Sequence, residues 1–211
     1  MDVPLNWDAG TDVKRLRVGY LASAFRDTRQ TKQTDANDRA ALDVLRSLGV
    51  ELVPVELPGG PSPDLNLMIL ADGADALSNP LITNSGPLKR QDRVSSNLAA
   101  RFIPAVEYLK NQRLRTELMG NMARLMDSVD VYAVPFDYSD YTPNPVATRN
   151  TQVTNLTGHP SITLPHGFNE TGHPTSITFI GKLYGEGEMM AVAKAYQDKT
   201  EWSSKHPPEF A

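Results

Sequence analysis

Nucleophilic chemistry needs a hydroxyl, thiol or amine held beside a base, with donors converging on the charge that develops. No cysteine is present, which excludes a thiolate nucleophile, thiolate metal sites and disulfides. Ser95-Ser96-Asn97 is the one adjacent serine pair before the C-terminal tail, and Ser203-Ser204 lies inside the tail. Neither pair has flanking glycines to let backbone N–H groups converge on an oxyanion, and no serine stands on a Gly-x-Ser-x-Gly elbow. His159, His166 and His173 recur every seven residues, but Pro160, Pro165, Gly167 and Gly172 rule out one helix carrying all three. No His-x-x-x-His pattern or acidic cluster completes a metal set. No catalytic residue and no metal ligand is therefore assigned. The turn Ala22-Ser-Ala-Phe25 carries no Gly-x-Gly-x-x-Gly, so no dinucleotide cofactor is expected.

Two segments have chemistry suited to ligand contact. Phe136–Pro145 gathers Phe136, Tyr138, Tyr141, Asp137 and Asp140 between prolines, immediately after a strand-like run. Loops at strand ends of α/β sheets are where ligands usually sit, although surface loops of this composition are common. Asn155-Leu-Thr-Gly-His-Pro160 reads as a loop leading into the β-type run Ser161–Leu164. Asn155-Leu-Thr157 and Asn169-Glu-Thr171 also match the glycosylation sequon, and both read better as turn-forming asparagines.

The elements that must position these segments follow from periodicity and from Pro/Gly punctuation. Leu16–Leu21 reads as a strand, Asp35–Leu48 as a helix with Ala41, Leu42, Leu45 and Leu48 on one face, and Val50–Leu57 as the next strand. A crossover of that length implies a parallel pair, and Pro54 pushes the second strand toward a sheet edge. Leu65–Leu77 is helical, 79–93 a loop, and Asp92–Ala100 opens a new helical stretch. Pro104 suits a helix start or a kink. Leu114, Leu118, Met122, Leu125 and Val129 form an apolar stripe along a long helix. Asp130–Pro135 is a buried strand; Ser161–Leu164 and Ser176–Ile180 are neighbouring strands joined by a polar turn; 186–200 is a helix. The expected fold class is α/β, a mixed β-sheet flanked by helices, as a single domain over 1–211. Its parts are a βαβ unit at 1–60, a mostly helical stretch at 61–130, and strands plus a C-terminal helix at 131–211.

The run from Asn155 to Pro208 resembles the C-terminal end of the amidase signature family, serine hydrolases that cleave amide C–N bonds. It carries Asn155-x-x-Gly158-x-Pro160, Pro165-x-Gly167-Phe168, a strand ending Ile180-Gly181, a Glu-containing helix and Trp202-x-x-x-His206-Pro207. Tyr108, Gln112 and Arg113 fit a further family pattern, and Leu5-Asn-Trp-Asp…Leu16-Arg-Val-Gly19 resembles an internal segment of family members. The resemblance implies the C-terminal half of an amidase-signature fold, with Phe136, Asp137, Tyr138, Asn155, Thr157 and Gly158 at a substrate pocket. Family members carry a Ser-Ser-Lys set on a Gly/Ser-rich segment well upstream, and no position of this chain matches that segment. The expectation is a scaffold and pocket wall for a small-molecule amide substrate, inactive in isolation. The partners expected are an N-terminal amidase half, which would complete it, or a second copy in a homodimer. A non-catalytic small-molecule or partner-binding module, or one half of a split amidase, are the alternatives.

Composition bounds these readings. At 211 residues, 40% hydrophobic and 22% charged, the chain has the makings of a packed core. A net charge of −4 without a Lys/Arg cluster argues against nucleic acid as a partner. No apolar run approaches the roughly 20 residues that span a bilayer, so no membrane partner is expected. The opening Met1-Asp-Val-Pro-Leu-Asn-Trp7 lacks the regions of a signal peptide, which favours a cytoplasmic location and leaves export of a longer precursor open.

Overall fold

A computed structural model describes residues 4–5, 7–8, 10–26, 31–59, 66–76, 99–136 and 145–205. The chain divides into two compact units, one formed by 1–58 with 122–211 and the other by 59–121.

The first unit is built on five strands: β1 (Val18–Leu21), β2 (Leu52–Val55), β3 (Val131–Pro135), β4 (Ser161–Phe168) and β5 (Pro174–Gly181). Their order across the sheet is β2-β1-β3-β5-β4. β1 pairs in parallel with both β2 and β3, while β5 runs antiparallel between β3 and β4, so the sheet is mixed as expected. Pro54 lies on β2, an edge strand, where its missing N–H breaks no central ladder. β3 is buried at every position, which explains why it reads as an unbroken apolar run.

Helices α1 (Ala22–Arg26), α2 (Lys32–Ser47), α5 (Pro145–Thr157) and α6 (Glu186–Thr200) belong to this unit. α2 starts three residues before the expected Asp35 because Thr31 caps it, its side chain accepting from Thr34 N–H. One face of the sheet packs Val18, Val131, Ala133, Ile177 and Phe179 against Ala41, Leu42 and Leu45 of α2 and Val192, Ala193 and Tyr196 of α6. Ring contact between Phe179 and Tyr196, with centroids 5.6 Å apart, pins α6 to β5. On the other face Tyr132 is fully buried and its hydroxyl donates to Asn150 Oδ1 of α5 at 2.6 Å. Gly19 allows close packing there: a Cβ would meet Val129, Val55 and Tyr132 at 3.0–3.3 Å.

The second unit contains α3 (Asn66–Ala76) and most of α4 (Ala105–Met126). Pro104 sits just before α4, its carbonyl accepting from Glu107 and Tyr108 N–H, as its position in the sequence suggests. Tyr108 donates to Asp72 at 3.0 Å and accepts from Gln112 at 2.8 Å, tying α3 to α4. The helical reading of 92–98 lies outside the described residues. Among the described residues no helix is long and apolar enough to cross a membrane.

Candidate functional site

The three parallel strands end at one edge of the sheet, with Leu21, Val55 and Pro135 as their last residues. Such carboxyl edges are the usual location of ligand crevices in α/β sheets. Phe136 emerges there, exposed, its backbone N–H donating to Ser176 C=O at 3.1 Å. Asp137 and Tyr138 lie outside the described residues. The end of β2 carries fixed charge. Glu56 accepts from Arg26 at 2.8 Å, and its carboxyl is held below the usual range chiefly by hydrogen bonding with Ser23. Arg149, half-buried on α5, donates to the carbonyl of Pro58.

Asn155, Thr157 and Gly158 sit elsewhere. They form the last turn and the cap of α5, a helix where the sequence suggested a loop. Pro145 fits the first helical position, but the polar and β-branched run Thr148–Thr154 has little apolar periodicity to announce a helix. α5 ends where β4 begins, and Ser161 of β4 lies beside Ile180, which pairs with Tyr132 near the start of β3. Phe136 and Gly158 therefore occupy opposite ends of β3, about 15 Å apart along the strand direction at ~3.3 Å per residue.

At the Gly158 end the histidine chemistry is well defined. Thr157 is buried; its hydroxyl donates to Val153 C=O at 2.9 Å and lies 2.8 Å from His159 Nδ1. A hydroxyl has one proton, so Nδ1–H donates to Thr157 and Nε2 is left as an acceptor. Burial lowers the His159 pKa, which keeps the ring neutral. Nearby, Asp130 accepts from Arg17 and from Lys182, each at 2.7 Å. Partial burial would raise the Asp130 pKa, but these hydrogen bonds outweigh it and hold the carboxyl far below its ordinary value. Asp130, Lys182, Leu183, Tyr184 and Glu188 line a half-open cleft of about 330 Å³.

A third polar cluster was not legible as a site. His166 Nε2 and Asp38 Oδ1 meet at 2.6 Å with the imidazole fully buried. Beside them Asn37 donates to Phe168 C=O and Thr175 Oγ1, both at 3.0 Å. The sequence held one signal: Asp38 falls on the apolar stripe of α2, three and four residues ahead of Ala41 and Leu42. Asn169 accepts from Thr171 and His173 backbone N–H, which accounts for it as a turn residue. Among the described residues each lysine with a polar partner pairs to a carboxylate: Lys110 to Glu107, Lys182 to Asp130 and Lys194 to Asp198. None of these places an amine beside a serine hydroxyl.

A family model described as Amidase matches residues 2–190. A Pseudomonas putida protein described as an amidase is 29% identical over 216 residues, covering 94% of this chain and 46% of that protein. A glutamyl-tRNA(Gln) amidotransferase subunit of Synechococcus sp. (strain CC9902) is 27% identical, covering 98% of this chain and 50% of that protein. Among solved structures, a bacterial aryl acylamidase of the amidase signature enzymes superposes with a TM-score of 0.70 at 18% identity, covering 96% of this chain and 48% of that one. A 6-aminohexanoate cyclic dimer hydrolase superposes with a TM-score of 0.75 at 17% identity, covering 99% of this chain and 51% of that one. The chain thus spans about half the length of these relatives.

Proposed function

Because the chain belongs to the amidase family, we propose that it contributes the scaffold and one pocket wall to hydrolysis of the C–N bond of a small amide. The observation that carries this reading is the family match over residues 2–190, taken with the carboxyl edge of the parallel strands, where Phe136 follows β3 and Glu56 follows β2. A pocket wall needs a rigid sheet end with a few polar groups and an apolar surface, and this edge carries Glu56, Arg26 and the exposed ring of Phe136. Amide hydrolysis also needs an activated nucleophile and oxyanion donors, worth ~8 kcal/mol or more of barrier lowering. In this reading those groups come from polypeptide other than the described residues. Phe136, Asp137 and Tyr138 face the substrate, while Asn155, Thr157 and Gly158 fix the return of α5 into β4.

Incubating the purified chain with simple aliphatic and aryl amides tests the proposal. The expected result is no turnover. Turnover abolished by a serine-directed fluorophosphonate would place the nucleophile inside this chain and overturn the reading. A second reading, one part of a multi-chain amidase, draws support from the relatives that are subunits of an amidotransferase. Recovery of amidase activity on adding a separate Ser-Ser-Lys-bearing chain would favour it.

A further inference from the structure

One step before β1 and β3 a row of polar residues crosses the end of the sheet. Asp130 precedes Val131, which pairs with Gly181, so Asp130 and Lys182 stand opposite each other and meet at 2.7 Å. Arg17 precedes Val18, the partner of Val131, and also reaches Asp130 at 2.7 Å. Ser161 pairs with Ile180, and Gly181 N–H donates to Pro160 C=O at 3.0 Å. One further rung sets His159 opposite Lys182. Gly158 agrees with that register, since a Cβ there would lie 3.9 Å from Leu183. Side chains alternate along a strand, so this row shares the face of Tyr132, which bonds α5.

In order the row is Arg17, Asp130, Lys182 and His159: two cations, one carboxylate and a neutral ring. A proton on His159 would take its net charge from one positive to two. Nothing around the ring is placed to offset that charge. His159 is nine-tenths buried, and among the described residues Nδ1 meets Thr157 while nothing hydrogen-bonds Nε2. The last turns of α5 bring no anion, because Asn150 to Gly158 contains no charged side chain. Asp127 lies at the other end of the row, its carbonyl accepting from Arg17. Tyr184 and Glu188 line the cleft that Lys182 also lines, but both are exposed, and α6 packs on the opposite face. Burial of the ring in this setting lowers the His159 pKa.

We infer that His159 is an acid-sensitive latch at the junction of α5 and β4, released when its Nε2 takes a proton. Four hydrogen bonds hold this junction. Gly158 and His159 backbone N–H groups donate to Thr154 C=O at 2.8 and 3.3 Å, and the ring donates to Thr157, whose hydroxyl donates to Val153 C=O. A charged ring needs an acceptor or water at Nε2, and reaching one draws it out of this lock. The last turn of α5 then loosens from the sheet, while the face packed by α2 and α6 stays intact. The unfolded chain takes this proton near pH ~6.5, and the folded chain resists it. Stability that is fully present above that pH is therefore lost as pH falls toward the folded value.

Proton NMR of the His159 ring over a pH series of the whole chain tests this, with the ring assigned by its coupling to the His159 backbone. The expected midpoint lies below the ordinary histidine value of about 6.5. It should move up in Lys182→Met, which removes the cation opposite. His159→Asn keeps a donor for Thr157 and cannot take a proton. Between about pH 8 and about pH 5.5 the urea midpoint of the parent should therefore fall further than that of His159→Asn, the other histidines being common to both. Over the same range the Gly158 amide should lose protection from exchange in the parent and keep it in the variant. An ordinary or raised ring midpoint overturns the inference. So does a midpoint unmoved in Lys182→Met, or a parallel fall of the two urea series.

Discussion

The imidazole of His166 is fully buried and its Nε2 lies 2.6 Å from Asp38 Oδ1, joining β4 to α2 across the face that also packs α6. His166 Nδ1 is buried with no partner among the described residues. The pair thus has a polar group with nowhere else to go, and removing one member should cost more than removing both. Asp38→Ala should destabilise the chain by about 1–3 kcal/mol, because it leaves the imidazole N–H unsatisfied in the core. The double variant Asp38→Leu/His166→Leu should recover much of that loss, as apolar replacement of a buried pair often does. Denaturant midpoints for Asp38→Leu, His166→Leu and the double variant give the coupling. Additive losses would show that the contact contributes nothing specific.

Two glycines of the tail region are required for different reasons, and alanine separates them. Gly158 closes α5 with φ +78°, and a Cβ there would have only Leu183 within reach, at 3.9 Å. Gly158→Ala should therefore cost about 1 kcal/mol, the backbone penalty alone. Gly167 sits against Asn37, whose carboxamide atoms would lie 2.6–2.9 Å from an added Cβ. Asn37 is held in place by Phe168 C=O and Thr175, so it cannot yield cheaply. Gly167→Ala should cost about 1–3 kcal/mol, as overpacking does. Thermal melts of both variants check the ranking; equal losses would contradict it.

How far the sequence foretold this arrangement depended on whether the signal was local. β3 read as buried because five apolar or proline residues follow one another, and α6 matched its span because an acidic first turn and an apolar face mark it. The β4–β5 hairpin was legible from turn residues between two β-branched runs. α5 was not, since its contacts with the sheet, the Tyr132–Asn150 bond among them, leave no period in the sequence. The placement of the candidate residues along the sheet was hidden for a similar reason. Phe136 and Gly158 are only 22 positions apart in sequence, but α5 carries the chain from one end of β3 to the other. The Asp38–His166 pair spans 128 positions, a distance over which no spacing rule operates.

Tyr132 tests whether α5 is held by a polar bond or by packing alone. Its ring is fully buried, burial drives its pKa well above the ordinary tyrosine value, and its hydroxyl donates to Asn150, itself buried. Tyr132→Phe keeps the ring and orphans the Asn150 acceptor. The expected loss is about 1–2 kcal/mol, with faster amide exchange along α5 and little change on the α2/α6 face. A variant as stable as the parent would assign the docking of α5 to apolar contact.

The pH dependence of stability should trace in part to Asp130. Arg17 and Lys182 hold its folded pKa below the unfolded value of about 3.9. A depressed carboxylate contributes stability that is fully present above the unfolded pKa and is lost as pH falls through the folded one. Below pH ~4 the unfolded chain binds a proton that the folded chain resists, so unfolding is favoured progressively. Asp130→Asn abolishes this proton linkage. The variant should be less stable than the parent near neutrality, where Lys182 and Arg17 lose their shared partner, and the gap should narrow on acidification. Glu56 and Glu170 are also depressed and acidify alongside, but they are common to both proteins and cancel in the difference. Urea midpoints for parent and variant at pH 6 and pH 3 supply the comparison. A constant gap between them would mean that Asp130 is not held as an ion pair in the folded state.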